Sequence, residues 1–443
     1  MKIAIVGAGI SGLGCAYALS KLDNCEVTIY EGGNHIGGHS NTVDLTLDTP
    51  SGKVSHGVDT GFLVFNQRTY PRLIRLFHEI DVEIAKSDMS FSVSIPKQNG
   101  DVLEWSGTSI DSLFAQRKNI LSPSFLRMVK DIIRFNRICT KLAADKRLDE
   151  IDLTVGEFIK KHRFSQQFQD WYFLPMVGAI WSCPVSQMLA FPIATMIRFC
   201  FNHGLIQIAD RPQWLTVKGG SREYVKKLCA HIEQNGGSFI REHVTSVSRN
   251  ANQVNINTAH GTISYDHVVM ACHSDQALDV LKDPSAEENN ILGSVKYQDN
   301  RAVLHTDSSL LPSEKKCWAA WNYASTQSEN LQDQEVCVNY LINQLQPLPE
   351  SWANQPVIVS LNPVVEPKAE TIHADIQYAH PVFDQAAILA QQNLSLIQGL
   401  RNTWYCGAWT GYGFHEDGLR SGELVAEAIQ EILRSPRKTP ISA

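Results

Sequence analysis

The first thirty residues place one helical stretch between two short apolar runs. Lys2-Ile3-Ala4-Ile5-Val6 and Glu26-Val27-Thr28-Ile29-Tyr30 have strand character, and Leu13 to Leu19 between them reads as a helix. Strand-like and helical segments go on alternating along the chain, which predicts an α/β fold. Phe125 to Leu142 carries apolar residues at three- and four-residue intervals and is expected to be helical. Further strands are expected at Arg301 to Thr306, Glu335 to Ile342 and Val357 to Leu361, with the spacer Gln344 to Pro349 as a turn. There is no internal repeat, and Ser435 to Ala443 reads as a polar tail.

Between the first strand and the first helix lies Gly7-Ala8-Gly9-Ile10-Ser11-Gly12. Gly7, Gly9 and Gly12 fit a turn that lets backbone approach a pyrophosphate, and the helix that follows from Ile10 and Ser11 offers its free N–H groups and positive dipole end to the phosphates. Glu31 ends the second strand, 19 residues past Gly12. That is close to the roughly 20-residue spacing of an acid that binds a ribose hydroxyl, and it disfavours a 2′-phosphate. Strand, glycine turn, helix and acid in register point to a dinucleotide.

The continuation Gly32-Gly33-Asn34-His35-Ile36-Gly37-Gly38-His39-Ser40 resembles the acid-to-Gly-Gly-Arg stretch of the flavin amine oxidase superfamily, which includes monoamine oxidases, protoporphyrinogen oxidase and phytoene desaturases. Val58-Asp59-Thr60-Gly61-Phe62 is similar to its Asp-x-Gly strand end beside the flavin, Lys218-Gly219-Gly220-Ser221 to its second Gly-Gly turn, and His243-Val244-Thr245 to the strand whose backbone holds the adenine side. Cys406-Gly407-Ala408 and His415-Glu416-Asp417-Gly418-Leu419 resemble the C-terminal flavin motif. Within the superfamily the chain looks most like bacterial FAD-binding proteins encoded beside cyclopropane fatty acid synthase, through Trp181-Ser182, Ala271-Cys272-His273 and His380-Pro381-Val382-Phe383 among others.

The resemblance implies a Rossmann-like FAD-binding domain interrupted by a mixed sheet-plus-helix substrate domain. We expect the former from residues 1–85, 208–285 and 395–443, and the latter from 86–207 and 286–394. It implies noncovalent FAD, since no cysteine occurs in the loop expected over His373 to Phe383, which holds His380 and where some relatives tether it. It assigns cofactor contacts to Gly32, Gly37, Gly38, His39, Ser40, Gly61, Phe62, Val244, Gly407, Ala408, Asp417, Gly418 and Leu419, beside the turn residues and Glu31. Gly33 and His39 stand where arginines commonly brace the diphosphate, which leaves that charge to backbone N–H groups, His39 or another cation. Helix formation from Gly418, with Gly422 and Ala426 spaced for close packing, would aim a dipole at the pyrimidine end of the flavin.

Composition narrows the function classes. At 443 residues the chain has room for two or three domains, and its formal charge of −7, with no Lys/Arg tract, argues against a nucleic-acid partner. Ten cysteines without C-x-x-C pairs suit a reducing cytoplasm, and no signal peptide precedes the first strand. Trp171 to Ile197 holds 27 residues without Asp, Glu, Lys, Arg or His. Pro175, Pro184 and Pro192 break it into pieces unsuited to crossing a bilayer. Buried helices, or the wall of an apolar substrate channel with a peripheral contact to the inner face of the membrane, remain as readings. Trp171, Phe173, Met176, Trp181, Met188, Phe191 and Phe201 would build such a wall.

Oxidised flavin accepts hydride at N5, so the protein's tasks are placement, tuning and exclusion of side reactions. His380 and His415 are the candidate catalytic residues, with His273, His305, Glu416 and Asp417 as further polar candidates; Lys296 and Arg301 are not securely placed as an amine oxidase's water-holding lysine. The expected activity is hydride removal from an apolar substrate, a lipid acyl chain, by desaturation or a related step. Oxidation of a small amine, or a non-catalytic flavoprotein partner of a cyclopropane-synthase-type methyltransferase, are the alternatives.

Overall fold

The computed structural model describes residues 1–97, 100–145, 148–181, 185–207, 211–250, 253–325 and 336–434. The expected tail from Ser435, the first residue of the strand expected from Glu335, and Ser182 to Pro184 lie outside the described residues, as does the side chain of Trp181.

Five parallel strands form the central sheet, in the order Ser238–Ile240, Glu26–Tyr30, Lys2–Val6, His267–Met270, Thr403–Tyr405. Except in the edge strand Ser238–Ile240, their apolar runs are buried on both faces, which is why they do not alternate with polar residues. A three-stranded antiparallel sheet, Ser246–Arg249, Val254–Thr258 and Gly261–Tyr265, precedes the return strand His267–Met270. The first helix, Ile10–Ser20, packs on the C-terminal helix, His415–Arg434. Their approach is close enough that a Cβ on Gly422 would meet Ser11 O at 2.2 Å, and one on Gly418 would meet Ile10 Cγ2 at 2.9 Å.

A buried ion pair ties the antiparallel sheet to the central one. Arg249 has a fully buried side chain and forks onto the carboxylate of Glu288, which also accepts from Tyr405 Oη at 2.6 Å. Burial alone would raise the Glu288 carboxyl, but Arg249 and Tyr405 hold it below the usual range. Glu288→Ala is therefore expected to lower stability by about 3 kcal/mol, because the buried guanidinium keeps only the more exposed Asp283 carboxylate, at 3.2 Å, and Tyr405 Oη loses its acceptor. Urea unfolding measures this; a loss under about 1 kcal/mol, the range of an exposed pair, would refute it.

The second large sheet has seven strands, ordered Ile372–Val382, Lys296–His305, Ile358–Leu361, Val336–Leu341, Trp321–Ser325, Phe91–Pro96, Val102–Ser106. All neighbours are antiparallel except Trp321–Ser325 with Phe91–Pro96. The strand expected from Arg301 begins at Lys296, because backbone pairing with Ile372–Val382 extends the ladder through polar residues that apolar patterning does not mark. His380, expected in a loop, lies in that partner strand opposite Gln298.

Beside this sheet stands a helical layer. Pro123–Ala144 is one helix, with Pro123 at its first position and the Ser122 hydroxyl capping Phe125 N. The uncharged stretch folds as short pieces, Gln169–Phe173, Leu174–Trp181, Val185–Ala190 and Ile193–Asn202. No helix among the described residues is long and apolar enough to cross a membrane.

Candidate active site

One cavity runs along the carboxyl ends of the central strands, the edge where open parallel sheets bind ligands. Gly7 takes φ +107°, and a side chain there would meet Ala271 O at 2.8 Å, so only glycine lets the first strand turn this close to its neighbour. Gly9, without a side-chain cap, precedes the first helix; Leu13 is the first residue whose amide is bonded, to Gly9 O at 2.9 Å. Amides of Ile10, Ser11 and Gly12 therefore remain as donors at the positive end of the helix. Glu31 accepts from Ala8 N at 2.9 Å and Gly33 N at 2.7 Å, which fixes its carboxylate on the cavity rim.

Gly37, Gly38, His39, Gly61 and Phe62 line the next part of the wall, and Gly407 and Ala408 close it from the C-terminal segment. His39 stacks on Tyr378 at 4.9 Å and tilts against His380 at 5.2 Å, with its buried Nε2 unpartnered. Burial and the neighbouring imidazoles His380, His273 and His415 push its pKa far down, which disfavours the charged ring and, of the three braces expected for the diphosphate, weakens the case for His39. No lysine or arginine among the described residues lines the cavity. A diphosphate here would depend on the free amides of the helix.

Both candidate histidines face this space. His415 opens the C-terminal helix, stacks on Phe62 at 3.7 Å and bonds Ser40 Oγ through Nε2 at 2.9 Å; burial lowers its pKa to about 3. His380 is lowered to about 4, by burial and by His273, which itself stacks on Tyr297 at 4.3 Å. His305 is elsewhere: its Nε2 meets Ser360 Oγ at 2.7 Å and its Nδ1 accepts from Asp307 N at 3.1 Å, a structural role inside the seven-stranded sheet.

Several expected contacts lie off the cavity lining. Gly12 sits beneath the turn, where a Cβ would meet Gly7 O at 2.0 Å. Gly32 makes room for His243, and Val244 beside it is buried in the core; the strand there starts only at Ser246. Ser40 acts through its bonds to Tyr224 and His415. The C-terminal helix starts at His415, not Gly418, so Gly418 and Leu419 are already inside it and pack on the first helix. Asp417 accepts from Tyr412 N at 3.0 Å and Phe414 N at 3.2 Å, and so shapes the loop that turns both rings into the cavity. Glu416 caps the helix Pro71–Glu79 through Arg72 N and Leu73 N.

Beyond the glycine cradle the cavity is apolar and aromatic, with Leu63, Met89, Ile180, Trp214, Trp321 and Tyr340 among its walls. Among the described residues Glu31 is the one carboxylate on the whole lining. Lys296 faces a second cavity, which shares Tyr297, Pro381 and Phe383 with the first, and Arg301 pairs with Asp375 and Glu366. Of the proposed channel-wall residues Met188 and Phe191 line that second cavity, whereas Phe173 and Met176 are core.

Sequence reasoning missed His203. It follows the helix Ile193–Asn202, lies against Phe199 at 3.9 Å with Phe414 at 5.7 Å, and carries a pKa lowered to about 4 by burial. Its Nδ1 can only donate to Phe199 O, at 2.9 Å, which leaves Nε2 as the hydrogen-bond acceptor of a ring that lines the cavity. A helix C-terminus followed by histidine is too common a pattern to have marked it.

Solved structures share this architecture across the whole chain. A cyclohexylamine oxidase from Brevibacterium oxydans superposes with a TM-score of 0.66 at 15% identity, covering 98% of this chain and 99% of that one. A putative protoporphyrinogen oxidase from Exiguobacterium gives 0.65 at 14% identity, over 97% and 99%. A CLA-producing fatty acid isomerase from P. acnes gives 0.64 at 15%, over 97% and 98%. At these identities the likeness concerns the fold. No curated protein matches the chain. Residues 10–349, well over half of the chain and including the glycine turn's last residues and Glu31, match a family described as flavin containing amine oxidoreductase, and the protein belongs to that family.

Proposed function

We propose that this FAD-dependent oxidoreductase acts on an apolar substrate, an acyl chain of a lipid, by desaturation or a related redox step. The observation that carries the proposal is the lining beyond the glycine cradle, which is mainly aromatic and aliphatic and, among the described residues, holds no carboxylate for an ammonium group. An alkylammonium would lose its hydration there without a counter-charge, whereas a hydrocarbon chain gains by leaving water. The same fold serves amine oxidases and a fatty acid isomerase, so the lining, rather than the fold, supports the choice.

Bound FAD supplies the two-electron oxidant. Glu31 and the free amides of the first helix would hold its ribose and diphosphate end, and the rings of Phe199, Phe414 and Trp214 would exclude water at the other. Desaturation also releases a proton. His203 is a neutral ring among these aromatic groups whose Nδ1 is committed to Phe199 O; with a pKa lowered to about 4 it would pass that proton on at Nε2 rather than retain it.

Anaerobic mixing of the holoprotein with phospholipid, with free fatty acid and with amines, while flavin absorbance is followed, tests the reading. Bleaching by acyl lipid is expected. Bleaching by amines alone overturns it, and no bleaching by either class favours a flavoprotein that positions a lipid methyltransferase.

A further inference from the structure

The helix Pro123–Ala144 has an outward face unlike the rest of this acidic protein. The chain carries a formal −7, yet this helix holds five basic residues and one acid, Asp131, which is buried and accepts from Ser165 N at 2.9 Å. Leu126, Arg127, Lys130, Ile133, Arg137 and Lys141 are exposed, and the 3.6-residue period places them along one side. Leu126 and Ile133 are 44% and 54% exposed, and Ile120 and Leu121, in the turn leading into the helix, are 45% and 86% exposed. Among the described residues no acid pairs with Arg127, Lys130, Arg137 or Lys141, whereas Arg117 and Lys118 nearby are neutralised by Asp111 and Asp101. Arg134 turns away, donating to His162 O and lying over Phe164.

We infer that this face is a docking surface for an anionic phospholipid membrane. Exposed aliphatic residues interleaved with unpaired cations on one side of a long helix are the arrangement that lies in the headgroup plane, apolar groups down and cations at lipid phosphates. The opposite side of the helix buries Phe125, Met128, Phe135 and Cys139 in the helical layer and packs against Ile193–Asn202, whose Phe199 lines the cavity. The element resting on lipid is thus in contact with a wall of the substrate site. The choice of lipid as the occupant rests on the acyl-chain reading; membrane binding is measured without turnover, so the two can fail separately.

Flotation of the holoprotein with vesicles of phosphatidylcholine, alone or containing about one third phosphatidylglycerol, tests the inference. Binding to the anionic vesicles is expected, with little to the neutral ones and release in about 1 M salt, where the screening length is about 3 Å. The combined variant Arg127→Gln, Lys130→Gln, Arg137→Gln and Lys141→Gln should weaken partition about six-hundredfold, at roughly fivefold per cation. Leu121→Ser with Ile133→Ser should weaken it while salt still releases what binds. Both variants keep surface polar residues where side chains are exposed, and retained flavin absorbance verifies their fold. Binding of the quadruple variant at the unaltered level, equal binding to neutral vesicles, or binding to duplex DNA in place of vesicles would each overturn the assignment.

Discussion

Gly12→Val is expected to give a protein that purifies without flavin and cannot be reconstituted with it. A Cβ at this position would lie 2.0 Å from Gly7 O, 3.1 Å from Gly7 C and 3.2 Å from the Ala271 side chain. Two of these atoms are backbone of the turn itself, and nothing flexible stands in the way to yield. The turn must open, which moves the amides of Ile10 and Ser11 from the place where the diphosphate would bind. At about 1.4 kcal/mol per tenfold, a strain of about 3–4 kcal/mol lowers FAD affinity by about two to three orders of magnitude. Flavin absorbance per mole of protein, before and after incubation with FAD, reads the effect. Gly293→Ala, whose new methyl would have Leu278 Cδ2 at 3.6 Å as its nearest contact, should stay yellow. Full occupancy in the valine variant would mean that this turn does not hold the cofactor.

Flavin-free protein should lose stability steeply between pH 6.5 and pH 5. His203, His305 and His380 have pKa values lowered to about 4, His415 to about 3, and His39 far down, in each case chiefly because burial penalises the charged ring. In the unfolded chain these groups titrate near 6.5, so below that pH the unfolded state binds more protons than the folded one and stability falls with pH. The contribution is intact above the unfolded value and is lost as pH drops toward the folded values. Each ring accounts for up to about 2 kcal/mol at pH 5, and together they are large against a typical stability of about 5–15 kcal/mol. His305 shows the cause directly, since its Nδ1 must accept from Asp307 N and a protonated ring could not. Urea midpoints at pH 7.5 and pH 5 measure the loss. A midpoint that does not move would show that these rings are hydrated. Bound FAD should offset part of the loss by mass action.

Four of the five histidines line the proposed cofactor and substrate cavity, so the same desolvation that keeps them neutral there makes the site the acid-sensitive part of the molecule. Two of them, His380 and His415, were visible in the sequence through their place in motifs. His39 was read as one of three ways to brace the diphosphate, beside backbone N–H groups and another cation. Residue spacing could locate it beside the glycine turn, but its charge depends on Tyr378 and His380, more than 300 residues away, closing over it.

The motif at the C-terminal end shows the same division. Glu416 and Asp417 were in view as polar residues beside the flavin, and acids in the first turn do mark a helix start. What they bond is decided by proximity: Glu416 meets the helix at Arg72 and Leu73, while Asp417 folds back on its own loop. Trp214 and Trp321 carried no signal at all, and His203, inside the resembling stretch Phe199 to Leu205, carried none as a site residue. They come from different segments and share only a cavity.

By itself, the sequence determined the dinucleotide turn, the acid in register with it, the alternation of strands and helices and the small residues that let two terminal helices touch. Each of these depends on neighbours within a few residues or on a repeat period, which a linear chain can display. Tertiary structure alone decided which side chains face the cavity, that no lysine or arginine among the described residues lines it, and that burial disfavours the charged form of its histidines. Those properties arise from burial and from contacts between distant segments, and burial is a property of the folded surface, not of residue order.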